Sequence, residues 1–550
     1  MRVSGAVLVH TCIHPSHTLH TRTFMPLILD ALFCVHVCGD SMQRKFPRTV
    51  HTSSYIRESK EGKLSTLRPD GSPVLSFDDD FEGGNLKRAI QVGSRSYDLY
   101  MRADVSTLPS TGWFYFAVTN FEPSQTYRFR IMNFYKKASL YLDGLKPLVF
   151  STATPELGWL RMGDEIEYRD NEEDRSQSFR MMTFLLTLDE RMAAGTIFMA
   201  YCYPYTYTML RSYLDQLLHD KVRSPHIKRK VMCRSKFGEE VDLLTITNFS
   251  DFSGGMRKSR RGVIVSSRVH PCESNASWVV QGFINFVSGP SEEAQFLRDR
   301  YVFLVIPMIN VEGVIAGNAR CSRAGLDLNR QFNQSKRFLE SSAPVVQSLK
   351  NVFERFCTER EVVLYCDMHG HSRKHNAFLY GCENSGTFAD HEKIFPMLLQ
   401  RLSPAFSLRD CDFRTLKCKE STGRVVVRRT LDIINSYTLE TSMYGNRKMG
   451  HFTMEDLQEL GVAFGLALVD FSSIENCVTC LDLLRRAAER RAGIPCLDSS
   501  MMVSPVEEIL RERESRASEM AKAQQRAAEC EAALEDVAQM GELEVSGASG

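Results

Sequence analysis

The sequence predicts two architectures in series: an antiparallel β-sandwich, then an α/β domain whose mostly parallel sheet is flanked by helices. Three observations carry this. Between residues 73 and 199, short runs alternate apolar and polar side chains with turn residues between them, as half-buried sandwich strands do. From 228 to 471, fuller apolar runs at 241–246, 263–267, 302–309 and 362–366 are interleaved with helix-like runs at 277–287 and 345–357. That alternation builds parallel sheets. Between the two, YCYPYTYTMLRSYLDQLL at 201–218 passes from aromatics into an amphipathic linking helix.

Composition divides the 550 residues into an extension at 1–72, the sandwich with its helical linker at 73–222, the α/β domain at 223–475 and a charged, partly helical tail at 476–550. In the extension, FMPLILDALFCVHVC at 24–38 is the targeting candidate. It is too short to span a bilayer and Asp30 interrupts it. Arg2 and Arg22, with no acid before Asp30, are compatible with an organelle transit peptide; a poorly ordered extension is the expectation. In the sandwich, Tyr97, Leu99, Met101, Ala103 and Val105 alternate with Ser96, Asp98, Arg102 and Asp104, with Tyr100 out of phase. WFYFAV at 113–118 is a fuller strand, and Tyr127, Phe129 and Ile131 alternate with Arg128 and Arg130. LYLDG at 140–144 reads as a strand ending in a turn. Nothing here looks catalytic, so this domain is expected to be structural or to orient substrate. In the tail, Ser504-Pro505-Val506-Glu507 is a helix start, and the run to Gln539 reads as a solvated helix or weak coiled coil.

A formal net charge of +1 gives no global field to select nucleic acid or an anionic membrane, and neither is expected as a partner. The 16 Cys form no framework, and Cys477–Cys480 lacks a second pair, so reduced intracellular thiols are expected.

The chemistry gathers at strand ends of the α/β domain. The strand at 263–267 leads into His270-Pro271-Cys272-Glu273. Imidazole and carboxylate three residues apart can aim at one point, and both are zinc ligands; a catalytic zinc takes three protein ligands. The strand at 362–366 leads into Asp367-Met368-His369-Gly370-His371, where 369 − 273 = 96 residues separate His369 from Glu273. If the strand continues, His369 and His371 face opposite sides and one alone is a ligand. Gly370 is expected to let the backbone turn. GNARCSRAGLDLNR at 317–330 places Arg320, Arg323 and Arg330 with Asp327 and Asn329 after a strand, and arginine pairs with carboxylates through two hydrogen bonds. NSYTLETS at 435–442 sets Glu440 in a strand-like run, where an inward carboxylate beside a metal is a natural general base. Jointly these describe a zinc site, a carboxylate clamp and a base.

HPCE, GNARCSRAGLDLNRQF, DMHGHSRKHNAFLYG and NSYTLETSMYG resemble the zinc metallocarboxypeptidases, and more closely the cytosolic carboxypeptidase subfamily, which trims glutamates from tubulin tails. The resemblance spans about residues 77–471, including FDDDFEGGNLKRA, WFYFAVTN and YCYPYTYTML. It implies a zinc-carboxypeptidase-like fold and one Zn2+ per chain, bound by His270, Glu273 and His369. It implies that Asp327 holds the first ligand histidine in its metal-binding tautomer and that Arg320 polarises the scissile carbonyl. Asn329 and Arg330 would clamp the substrate's terminal carboxylate, and Glu440 would be the general base. Arg424, in ESTGRVVV, stands where a basic residue can meet a glutamate side chain. One departure is Cys272, where relatives usually have glycine. The implied activity is removal of C-terminal residues, glutamate first, from acidic polypeptide tails such as polyglutamylated tubulin, in the cytoplasm and in association with the cytoskeleton. Arg373, Lys374, Lys417, Lys419, Arg428 and Arg429 around these motifs suit acidic peptides. The alternatives are a tubulin-tail binding module without turnover and an amidohydrolase of small acylated amino acids. Main-chain glutamate, branch-point glutamate and terminal tyrosine all remain open as the residue removed.

Overall fold

The computed structural model describes residues 74–106, 110–174, 179–250, 260–386 and 390–475. The targeting candidate at 24–38, Cys477–Cys480 and the helix start at 504–507 lie outside them.

Among the described residues, ten strands form the first domain: β1 Ser76–Asp78, β2 Arg88–Gly93, β3 Ser96–Tyr100, β4 Tyr115–Thr119, β5 Thr126–Phe134, β6 Leu148–Ser151, β7 Leu160–Arg161, β8 Asp164–Asp170, β9 Arg180–Thr187 and β10 Ile197–Ala200. They make two five-stranded sheets, β1-β4-β10-β6-β7 and β2-β3-β5-β9-β8. Pairing is antiparallel except between β3 and β5. The alternation along β5 holds: Tyr127, Phe129 and Ile131 are buried while Arg128 is exposed. Aromatic rings from both sheets fill the space between them, with Tyr97 stacked on Phe129 and tilted against Phe77.

Two expectations fail here for local reasons. Residues 140–144 are not a strand: Leu140–Asp143 is a 3-10 turn, started by the Ser139 hydroxyl accepting from the Tyr141 N–H and ended by Gly144 at φ 100°. Leu140 and Tyr141 are both buried, which adjacent strand residues achieve on one face only by leaving the strand. The run from Ser96 stops at Tyr100 because side chains then take over the backbone's bonds. The N–H of Met101 donates to Asn133 and that of Arg102 to Asn85. This frees Asp104 to face the second domain.

The linking helix is Tyr207–His219. Its first N–H groups are met by the Thr206 hydroxyl, which accepts from Met209, and by the Glu82 carboxylate, which accepts from Tyr207 and Thr208.

The second domain is a seven-stranded sheet of β11 Ile227–Arg234, β12 Glu240–Ile246, β13 Arg261–Ser267, β14 Tyr301–Ile306, β15 Val362–His371, β16 Ala377–Tyr380 and β17 Asn435–Ser442. Its order is β11-β12-β14-β13-β15-β17-β16, a parallel centre of β14, β13, β15 and β17 with antiparallel edges. The parallel strands are buried on both faces, hence their unbroken apolar text. β14 ends before Pro307, which has no N–H to give the ladder. β15 runs on through Gly370, so that glycine is not a turn. A Cβ there would lie 2.2 Å from Asn275 Oδ1, so the close approach of Asn275 is what demands glycine. Helices Ser274–Val287 and Met454–Glu475 cross at a similar contact: a Cβ on Gly282 would lie 2.1 Å from the Gln458 carbonyl oxygen. That crossing seats the helix that begins directly after Glu273.

Candidate metal centre and active site

The turn after β13 is built from inside. Arg268, buried and at φ 61°, donates from Nε to the Pro271 carbonyl at 2.8 Å and from its guanidinium to the Tyr205 carbonyl at 3.0 Å and the Ser277 hydroxyl at 2.8 Å. This brace fixes His270 and Glu273 with the same interior cation. His369 arrives from β15. His270 Nδ1 lies 2.9 Å from Glu273 Oε1, and His369 Nδ1 lies 2.9 Å from Glu273 Oε2. The candidate ligand atoms of the three residues lie within 4.8 Å of one another, and all three residues are buried. The far ring nitrogens both meet carboxylates: His270 Nε2 is 3.2 Å from Asp327 Oδ1, and His369 Nε2 is 2.7 Å from Asp367 Oδ2. A carboxylate at Nε2 keeps the proton there and turns the Nδ1 lone pair to the centre. Two imidazoles and one carboxylate, aimed inward with their outer nitrogens anchored, are the donor set of a catalytic zinc. Burial opposes charge on Glu273, but the imidazoles of His270 and His369 outweigh it and hold the carboxyl well below its ordinary range.

His371 is not brought to this point. Its Nδ1 accepts from the N–H groups of Arg373 and Lys374, and its ring packs edge-on against Phe378. Strand alternation separates the two histidines as expected.

The loop between β14 and β15 supplies the next groups. Asp104, from the sandwich, accepts from the N–H groups of Ala319, Arg320 and Cys321, each at 2.7 Å. Arg320 Nε donates to Asp327 Oδ2 at 2.7 Å. Asp327 therefore bridges Arg320 and His270, and its other oxygen also accepts from the Asn329 N–H at 3.0 Å. The Asn329 amide oxygen accepts from the N–H of Gly423, first residue of helix Gly423–Leu431, which docks that helix beside the centre. Arg330 is half-buried and donates to the Asn329 carbonyl.

Parallel register between β15 and β17 sets Glu440 beside His369. Burial raises its carboxyl to about 7, the His369 imidazole pulling the other way. Arg424, one residue into the docked helix, is buried. Its guanidinium donates to the Cys382 sulfur at 3.5 Å, and among the described residues it makes no ion pair. The other basic residues of the motif region divide: Arg428 pairs with Asp432 and Arg429 with Glu420, while Lys419 feels Arg330, Arg320 and Glu440. Cys272 is half-buried beside the centre, and desolvation then Glu273 push its thiol up to about 12. A thiol held protonated is a poor nucleophile and a slow target for oxidants.

Five residues in the site were not singled out from sequence. Asp367 was findable: it lies two before His369, on the same strand face. Arg268 stands two before His270 in a positive-φ turn, which sequence does not announce. Asp104, Lys136 and Tyr380 come from distant segments; Tyr380 has its hydroxyl pushed up by burial and then by Glu440.

Fold and centre together define a class: a metallocarboxypeptidase fold around a two-histidine, one-glutamate site. Residues 211–410 match the family described as zinc carboxypeptidase, and residues 77–182 match the cytosolic carboxypeptidase N-terminal domain. The first match contains His270, Glu273 and His369; Arg424 and Glu440 lie beyond it. The chain belongs to the zinc carboxypeptidase family, in its cytosolic carboxypeptidase branch. It is 45% identical over 416 residues to cytosolic carboxypeptidase 2 of Homo sapiens, covering 74% of this chain and 45% of that one. It is 39% identical over 446 residues to cytosolic carboxypeptidase 3 of Bos taurus, covering 78% and 44%. The chain thus spans about half the length of the curated relatives it matches. The fold is also that of a metallo-carboxypeptidase from Burkholderia cenocepacia, with a TM-score of 0.59 at 19% identity over 72% of this chain and 98% of that one. A Pseudomonas aeruginosa metallo-carboxypeptidase, solved with (2-guanidinoethylmercapto)succinic acid, gives 0.59 at 20% identity over 72% and 99%. Among the described residues, no helix is long and apolar enough to cross a membrane.

Proposed function

We propose that the chain is a zinc-dependent exopeptidase that removes C-terminal glutamate from acidic polypeptide tails such as polyglutamylated tubulin, in the cytoplasm. The observation that carries the reading is the convergence of both histidine Nδ1 atoms on the two oxygens of Glu273, with Glu440 on the neighbouring strand. What zinc supplies when held by His270, Glu273 and His369 is Lewis-acid polarisation of a carbonyl and acidification of a water toward neutral pH. The chain's own groups do the rest. Glu440, on the strand beside His369, accepts the proton of the attacking water and passes it to the leaving nitrogen. Arg320, held by Asp327, donates to the oxyanion that develops on the scissile carbonyl. Asn329 and Arg330 bind the free terminal carboxylate, which restricts cleavage to the chain end. Arg424 supports the glutamate preference: a buried guanidinium without a carboxylate lacks the partner that an entering glutamate side chain would bring.

Metal content tests the reading. The purified protein should hold one zinc per chain, and His369→Ala should lose both the metal and release of glutamate from a Glu-ending peptide. A full zinc equivalent in that variant would contradict the ligand set and leave His371 as the next candidate.

A further inference from the structure

A cleft lies between the sandwich and the α/β domain. Cys272, Glu273 and Arg320 form its catalytic-domain wall, while Tyr135, Lys136 and Tyr168 come from the sandwich. The turn that carries Lys136 is fixed, because the Tyr168 hydroxyl donates to the Lys136 carbonyl. Lys136 Nζ reaches across the domain boundary and donates to the Ser372 hydroxyl at 2.7 Å. Ser372 lies just past the end of β15, three residues beyond His369. Lys136 is exposed and lines the same cleft as Glu273 and Arg320, so its side chain borders the space beside the centre. An ammonium has three donors, and a neutral hydroxyl takes one. Among the described residues, no carboxylate forms an ion pair with Lys136. Asn329, Arg330, Arg424 and Glu440 do not line the cleft.

The direction of a bound peptide follows from these positions. With its terminal carboxylate on Asn329 and Arg330 and its last peptide carbonyl at Arg320, the chain has to leave past Arg320. The cleft opens there, since Arg320 and Glu273 belong to both. We propose that the cleft is the subsite for the residue preceding the cleaved bond, and that Lys136 selects an acidic side chain in it. The tyrosine rings cover the methylene stem of that side chain, and the Lys136 ammonium exchanges a neutral hydroxyl for its carboxylate. The sandwich domain thereby becomes a specificity element, and consecutive glutamates become the preferred substrate. The inference rests on the exopeptidase reading above.

Two peptides that end in free glutamate, one with glutamate and one with alanine before it, test the subsite with the zinc-loaded full chain. The parent should show a kcat/KM ratio of roughly tenfold in favour of the Glu-Glu peptide, the scale of one charge-assisted hydrogen bond. Lys136→Ala should bring that ratio to about one with an unchanged melting temperature, and Lys136→Arg should keep most of the preference. Equal cleavage of both peptides by the parent, or an equal loss on both in Lys136→Ala, would overturn the subsite while leaving the exopeptidase reading intact. Cleavage of neither peptide would overturn both.

Discussion

At the scale of the residue, Glu440 and Arg424 separate chemistry from selection. Glu440→Gln keeps the shape but cannot take a proton. It should bind zinc as the parent does and lose roughly 10²–10⁴-fold in kcat with little change in KM. Steady-state kinetics beside metal analysis check this, and activity within about tenfold of the parent would remove Glu440 from the role. Arg424→Ala should lower kcat/KM for Glu-ending peptides by roughly 10–150-fold, because a buried hydrogen bond between charges is lost, and should do less to peptides ending in leucine. Equal losses on both peptides would make Arg424 structural. His270, Glu273, His369, Arg320, Arg330 and Glu440 could be named from sequence because each stands in a short motif in or just after a strand-like run. Asp367 was legible only in retrospect, through its period-two relation to His369. Arg424 was singled out because a basic residue in that segment can meet a glutamate side chain. That its neighbours Arg428 and Arg429 are already paired while it is buried without an acid is a fact of folding, not of composition.

At the scale of the element, most strands and helices of the α/β domain could be read from their apolar runs, since strands buried on both faces leave little ambiguity. In both failures the strand ladder is replaced by another arrangement. Residues 101–104 and 140–144 carry strand-like text, but the Asn133 and Asn85 side chains hold the backbone of the first, and the adjoining Ser139 cap and the left-handed Gly144 close the second into a turn. The first of these departures has a consequence for the site. It delivers Asp104 to three N–H groups of the loop that carries Arg320. Asp104→Asn keeps the size but swaps one acceptor oxygen for a donor, so at least one of those N–H groups loses its partner. The loop should shift, and kcat should fall by roughly 10–100-fold with KM changed less, as small displacements of catalytic groups do. An unaltered kcat in a folded Asp104→Asn protein would show that the loop needs no anchor from the sandwich.

At the scale of the whole molecule, two domains share one site. The sandwich holds the linking helix through Glu82, the loop of Arg320 through Asp104 and the cleft through Lys136. None of this was legible in a domain whose sequence offered alternation and aromatics but no chemistry, because contacts across 125 to 236 residues of chain leave no local pattern. The central claim is that this assembly is a zinc exopeptidase for terminal glutamate. Mass spectrometry of a synthetic acidic tail ending in a glutamate run tests it most directly. The tail is incubated with the zinc-loaded protein, with a free C-terminal carboxylate in one sample and a C-terminal amide in the other. The free-carboxylate tail should lose glutamates one at a time from its end while the amidated tail stays whole. Internal fragments, or equal loss from both tails, would contradict the account.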